Sequence, residues 1–99
     1  MSVKQELIKT KALIADPKNW LQGLMASNEK GQYVPPYSPD ACKFCALGAL
    51  RKACTQEGAY MKLADAAFKA GFSGIAALND FGLHEDVMEM FDKAIEEAS

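Results

Sequence analysis

The sequence predicts a mainly α-helical single domain (1–99), with four to five helices packed around a buried central helix and a small two-stranded β-hairpin beside them. Three observations lead there. Apolar residues recur at three- and four-residue steps in the stretches 3–15, 59–70 and 85–98, the period of an amphipathic helix. The run Ser38–Cys54 is the most continuously apolar of the chain and holds all three cysteines, as expected of a helix contacted from several sides. Between Trp20 and Tyr37 the helical period is lost, and Gly23, Gly31, Pro35 and Pro36 take over. A chain of 99 residues has material for one core, not two.

In the first stretch Val3, Leu7, Ile8, Ala12, Ile14 and Ala15 form the apolar side, and lysines fill the other. Asp16-Pro17 ends it, because the residue before a proline is pushed out of the helical region, and Asp16 can cap a short turn over 17–20. Leu24–Ala26 and Gln32–Val34 are expected to pair as the hairpin, with Gly31 at a positive-φ turn position. Pro35-Pro36 continues as an extended arm. Ser38 can accept from the free amides of a first helical turn and Pro39 fills a position whose N–H is not needed, so the central helix is expected over Pro39–Cys54. Gly48 and its alanine neighbours would let another backbone come close, at a propensity cost of about 1 kcal/mol. The helix over 59–70 is expected to turn Tyr60, Leu63, Ala64, Ala67 and Phe68 to one side and to stop at Gly71 in the left-handed conformation. Ser73 would cap a short helix over 74–81 that Gly82 terminates. The last helix, 85–98, presents Val87, Met88, Phe91, Ala94, Ile95 and Ala98 inward and Glu85 and Asp86 at the positive end of its dipole.

Composition bounds the function. Apolar residues at 49% and charged residues at 24% are those of an ordinary globule and argue against disorder. No apolar run approaches the roughly 20 residues that cross a bilayer, and no hydrophobic signal core follows the first lysine. A cytoplasmic protein without a membrane partner is expected. The net charge of −2 is uneven: residues 1–20 and 21–79 carry +2 each, and residues 80–99 carry −6. Without a basic stripe, phosphate neutralisation has little to work with, so no nucleic-acid partner is expected. The odd cysteine count favours free thiols over a disulfide framework.

The segment Leu13-Ile14-Ala15-Asp16-Pro17-Lys18-Asn19-Trp20-Leu21-Gln22-Gly23, the Cys45-Ala46-Leu47-Gly48-Ala49-Leu50 core, and Asn79-Asp80 ahead of Val87…Phe91-Asp92-Lys93-Ala94 together resemble a family of small uncharacterised proteins from bacteria and their phages. The resemblance spans nearly the whole chain and implies one helical domain with this order of elements. The sequence departs from it between Asn79 and Val87, where Leu83-His84 stands in place of an Arg-Thr type of helix start. The resemblance implies no activity.

Three constellations bear on chemistry. Cys42 and Cys45 have the C-x-x-C spacing of metal and redox sites, but within a helix that spacing only puts two thiols on one face. Cys54 lies about 120° around the helical wheel from Cys42 and some 18 Å along it, and with His84 the single histidine, a zinc shell lacks a fourth ligand. Buried, inert cysteines are the plainer reading, and no metal or other cofactor is expected. A catalytic reading makes Cys45 a nucleophile, His84 its base and Asn79 or Asp80 the orienting group, against which stands the apolar setting of Cys45, which raises a thiol's pKa. Finally, Trp20, Gln22, Tyr33, Tyr37, Asn79 and Asp80 are candidates to line one groove between the hairpin and the short helix, an aromatic wall with a few convergent polar groups. The plainer alternative is that these groups pin the hairpin. The leading functional expectation is therefore a non-enzymatic interaction or regulatory module of bacterial or phage origin that binds a protein or peptide partner. A homodimer is compatible with it. A small cysteine-dependent hydrolase or transferase using Cys45 and His84 is the alternative, and a zinc-binding domain the second.

Overall fold

The computed structural model describes residues 2–53 and 55–98. Among these residues the chain forms five α-helices: α1 (Val3–Ile14), α2 (Ala46–Lys52), α3 (Glu57–Lys69), α4 (Ile75–Phe81) and α5 (His84–Glu97). A 3-10 turn spans Pro17–Asn19, and β1 (Ala26–Ser27) pairs antiparallel with β2 (Lys43–Phe44). No described helix is long and apolar enough to cross a membrane.

Local chemistry explains most of the boundaries. Ser2 Oγ accepts from the Gln5 N–H while the Ser2 N–H donates to Gln5 Oε1, both at 3.1 Å, a reciprocal box that satisfies two donors at the start of α1. Asp16 Oδ1 accepts from the Lys18 N–H at 2.9 Å and holds the 3-10 turn, as its place before Pro17 predicts. Gly71, at φ 98°, ends α3 in the left-handed conformation expected of it.

α1 packs against α5, α2 and α3, and α3 against α5 forms the most extensive helix pair. Leu7, Ile14, Leu63, Leu78, Val87 and Phe91 are at most 1% exposed at the centre of these contacts. Burial of each large apolar side chain stabilises the fold by about 1.5–3 kcal/mol relative to leaving it in water. Glu6 is buried among them, and its Oε1 accepts from the Gln56 N–H at 3.3 Å, where the free amides of α3 present their partial positive charge.

Two expectations shift locally: Gly74, not Ser73, precedes the first turn of α4, and α1 turns Glu6 and Thr10 inward while Ile8, Ala12 and Ala15 are exposed. Three more need fuller correction. The central helix begins at Ala46, not Pro39. Ser38 Oγ accepts from the Asp40 N–H at 3.2 Å and the Ser38 carbonyl from Ala41 at 3.1 Å, so the Ser-Pro pair makes a tight turn rather than a first helical turn. Lys43 and Phe44 then extend to meet Ser27 and Ala26, and Cys45 becomes the residue that caps α2. Cys42 and Cys45 therefore do not share a helix face, and the end expected at Cys54 lies outside the described residues. The sheet, secondly, takes 43–44 as its second strand. Residues 26–34 do fold back, with the Asn28 N–H donating to the Gln32 carbonyl at 3.0 Å, Gly31 at φ 80° and Ser27 bridging Tyr33, but the ladder is closed by the distant strand. Thirdly, Tyr60 and Phe68 are not buried with Leu63: they are 50% and 70% exposed, because α3 turns Ala59, Leu63, Ala66 and Ala67 inward instead.

α2 lies unusually close to the segment before β1. A Cβ on Gly48 would stand 1.7 Å from the Met25 carbonyl oxygen, the same oxygen that accepts from the Cys45 N–H at 3.2 Å. Only a residue without a side chain permits that approach.

Candidate functional site

Four of the six candidate groove residues meet where the segment 20–23 crosses the end of α4 and the start of α2. Asn79, 1% exposed on α4, is the hub. Its Oδ1 accepts from the Trp20 indole N–H at 2.7 Å and from the Ala46 N–H at 2.9 Å. Its Nδ2 donates to the Leu21 carbonyl and to Asp80 Oδ1, each at 3.1 Å. Asn79 thereby caps α2 from another element, since Ala46 is the first residue of that helix and its amide has no partner within it.

Gln22 does the complementary work at the C-terminal end of α4 itself. Its Nε2 donates toward the carbonyls of Asn79, Asp80 and Gly82, at 3.0, 3.1 and 3.0 Å, which are among the groups a helix end leaves unsatisfied. Asp80 Oδ1 accepts from the Gly23 N–H at 3.0 Å. His84, at the start of α5, places Nε2 2.7 Å from the Ile14 carbonyl and its ring edge-on to Trp20, with centroids 5.3 Å apart. The cluster thus ties α1, the 20–23 segment, α2, α4 and α5 together. No buried side-chain nitrogen or oxygen among the described residues lacks a hydrogen-bond partner.

Tyr33 and Tyr37 take no part in this network. Tyr33 is 57% exposed where its backbone bridges Ser27. Tyr37 is 81% exposed and lines a depression of about 410 Å³ with Leu47, Leu50, Arg51, Thr55 and Tyr60. Neither Tyr60 nor Arg51 was a candidate from the sequence, because the apolar period placed Tyr60 on the packed side of its helix and no motif marks Arg51.

Cys42 and Cys45 hold structural positions. Cys42 Sγ lies 3.7 Å from the Ser27 carbonyl. Cys45, 7% exposed, turns its sulfur to the Gly48 N–H at 3.3 Å, in the place of an N-cap oxygen. Burial pushes the Cys45 thiol above its ordinary value, and the charge of Asp80 adds to this, while the N–H groups of Gly48 and Leu47 oppose it. No three His, Cys, Asp or Glu residues among those described converge on a point where a metal could sit; Cys54 lies outside them.

A reactivity test follows from the thiol's setting. In the native protein Cys45 should react with iodoacetamide at least tenfold more slowly than in denaturant, read residue by residue by mass spectrometry of digests. The sign with pH is fixed: the unfolded thiol ionises near 9.0 and the folded one later, so the stability this group contributes is complete below that pH and declines above it. Cys45→Ala should flatten the alkaline loss of stability; an unchanged profile would show that the thiol is not shielded.

Fold and cluster together define a class, the small mainly α-helical globule in which the start of α2 and the end of α4 are capped by side chains from other elements. The chain belongs to a family of unknown function, DUF6197, whose family model matches residues 1–97. No curated protein and no solved structure matches it.

Proposed function

We propose that this domain is a non-enzymatic interaction module, of bacterial or phage origin, that binds a peptide segment of a protein partner. The observation that carries the reading is the depression between Tyr37 and Tyr60. Two exposed tyrosines, 81% and 50% accessible, line it together with the apolar Leu47 and Leu50, and Arg51 and Glu57 are its charged groups. Tyrosine and arginine are the residue types that concentrate binding energy at interfaces, because a large, stiff side chain loses little entropy on binding and carries a polar tip. A hydrophobic side chain of the partner packs against Leu47 and Leu50, and a neighbouring carboxylate complements the Arg51 guanidinium.

Trp20, Gln22, Asn79 and Asp80 serve this reading indirectly. Their hydrogen bonds are made within the chain, so they hold α2, and with it Leu47, Leu50 and Arg51, in place. The cysteine-hydrolase alternative lacks comparable support: the Cys45 sulfur is engaged by the Gly48 N–H and the nearest hydrogen-bond partner of His84 Nε2 is the Ile14 carbonyl.

Selection of a random peptide library on the folded protein tests the proposal. Enriched peptides should share an apolar residue beside an acidic one, and Tyr37→Ala should weaken them about tenfold or more. Absence of enrichment, or binding indifferent to Tyr37→Ala and Tyr60→Ala alike, would overturn it.

A further inference from the structure

A cleft of about 560 Å³ lies between the C-terminal half of α3 and α5, and it shares no lining residue with the Tyr37 depression. Its apolar lining includes Phe72, Leu78 and Met90. Leu78 and Met90 belong to the core and Phe72 packs against it, so this part of the wall is held by the fold rather than supplied by mobile surface side chains. The rest of the lining is charged and unbalanced. Four carboxylates, Asp65, Asp86, Glu89 and Glu97, stand with two ammonium groups, Lys69 and Lys93, which leaves a net charge of −2. Lys69 is already committed, to Asp65 at 3.0 Å and to Glu97 at 3.8 Å. Residues 86, 89, 93 and 97 follow at steps of three and four and form one stripe along α5. Among the described residues no ion pair holds Asp86, Glu89 or Lys93, and residues 70–92 contain no lysine or arginine that could supply a counter-charge from the elements closing the cleft.

We infer that this cleft binds a small organic cation, an amine or guanidinium carried on an apolar body. Its volume falls within the roughly 300–1,000 Å³ of small-molecule sites, and an apolar lining with a few charged groups is their usual make-up. The sign of the ligand follows from the residual charge. A concave surface with an excess of one charge beside low-dielectric walls concentrates ions of the opposite sign. Asp86 and Glu89, one turn apart on α5, are the carboxylates that a bound cation meets, and a hydrogen bond between ionised partners is about twice as strong as a neutral one. The apolar body packs against Phe72 and Leu78, where the half-buried ring of Phe72 offers an aromatic surface. An anion of the same shape meets net repulsion, and a neutral molecule leaves the excess carboxylates without a counter-charge.

Titration of the isotope-labelled full chain with two probes, followed by amide NMR, tests this. Phenethylamine and 3-phenylpropionate carry the same ring and opposite charges. Phenethylamine should shift the amides of residues 69–72 and 86–93 with a Kd of about 1 mM or tighter, and 3-phenylpropionate should bind at least tenfold more weakly. Glu89→Lys, at an exposed position, brings the lining to net zero and should cut the affinity for the amine at least tenfold with an unchanged circular dichroism spectrum. Lys93→Gln should raise that affinity. Equal binding of the two probes, amine shifts confined to the residues around Tyr37, or no shift at about 10 mM amine would each overturn the inference, as would an affinity that Glu89→Lys leaves unchanged. If the Glu89→Lys chain fails to fold, the comparison of the two probes on the wild-type protein decides. The shifted residues tell this cleft from the Tyr37 depression, so failure of one proposal leaves the other standing.

Discussion

Gly48→Leu should lower the melting temperature by about 15 °C or more, corresponding to about 3 kcal/mol for a chain of this size. The cause is backbone against backbone. The first atom of any side chain at Gly48 falls 1.7 Å from the Met25 oxygen, 2.7 Å from its carbonyl carbon and 3.2 Å from its Cα. No rotamer relieves this, because the offending atom is Cβ itself. α2 must retreat from the 24–26 segment, which loosens the Cys45 to Met25 hydrogen bond and the short sheet beside it. Gly48→Ala should already incur most of the loss, even though alanine is intrinsically about 1 kcal/mol better than glycine within a helix. Thermal unfolding followed at 222 nm decides the matter; an alanine variant as stable as the wild type would mean that the 24–26 segment gives way freely.

Asn79→Ala is expected to cost about 3 kcal/mol or more. It leaves the buried Ala46 N–H and the part-buried Trp20 indole N–H and Leu21 carbonyl without partners, and a fully buried group so orphaned costs about 1–3 kcal/mol, the part-buried ones less. Gln22→Ala should cost less, about 1 kcal/mol, because Gln22 is at the surface and water can reach the carbonyls it serves. Urea unfolding followed by the fluorescence of the single tryptophan reads both, since Trp20 sits in the cluster. A Gln22→Ala variant less stable than Asn79→Ala would refute the hub role of Asn79.

Residues whose roles are local were legible in the sequence. The extent of α1, the apolar period of α5, the stop at Gly71 and the Asp16 cap depend on neighbours within one or two turns, and the structure has them where periodicity and capping chemistry place them, whereas the face α1 buries holds Glu6 and Thr10 in place of Ile8, Ala12 and Ala15. The close approach at Gly48 was legible too, because a glycine amid alanines in a helix has little other use. The grouping of Trp20, Gln22, Asn79 and Asp80 could be guessed from residue types, but their partners could not. Tyr60 and Phe68 were misplaced because a 13-residue helix with apolar residues on more than one side offers two faces of similar period, and only the position of α5 decides which one is covered.

By itself, then, the sequence determined that the fold is mainly α-helical with a small antiparallel sheet, where most of its helices run, and that its middle is too tightly packed for a side chain at Gly48. The tertiary structure decided where α2 begins and that Cys45 stands at its cap. The Ser38-Pro39 signal lost because Lys43 and Phe44 find strand partners at Ser27 and Ala26, and because Asn79, 33 residues from Ala46, supplies the cap that a start at Ala46 requires. A helix end goes where its free amides can be satisfied, and here the satisfying oxygen comes from a distant part of the chain.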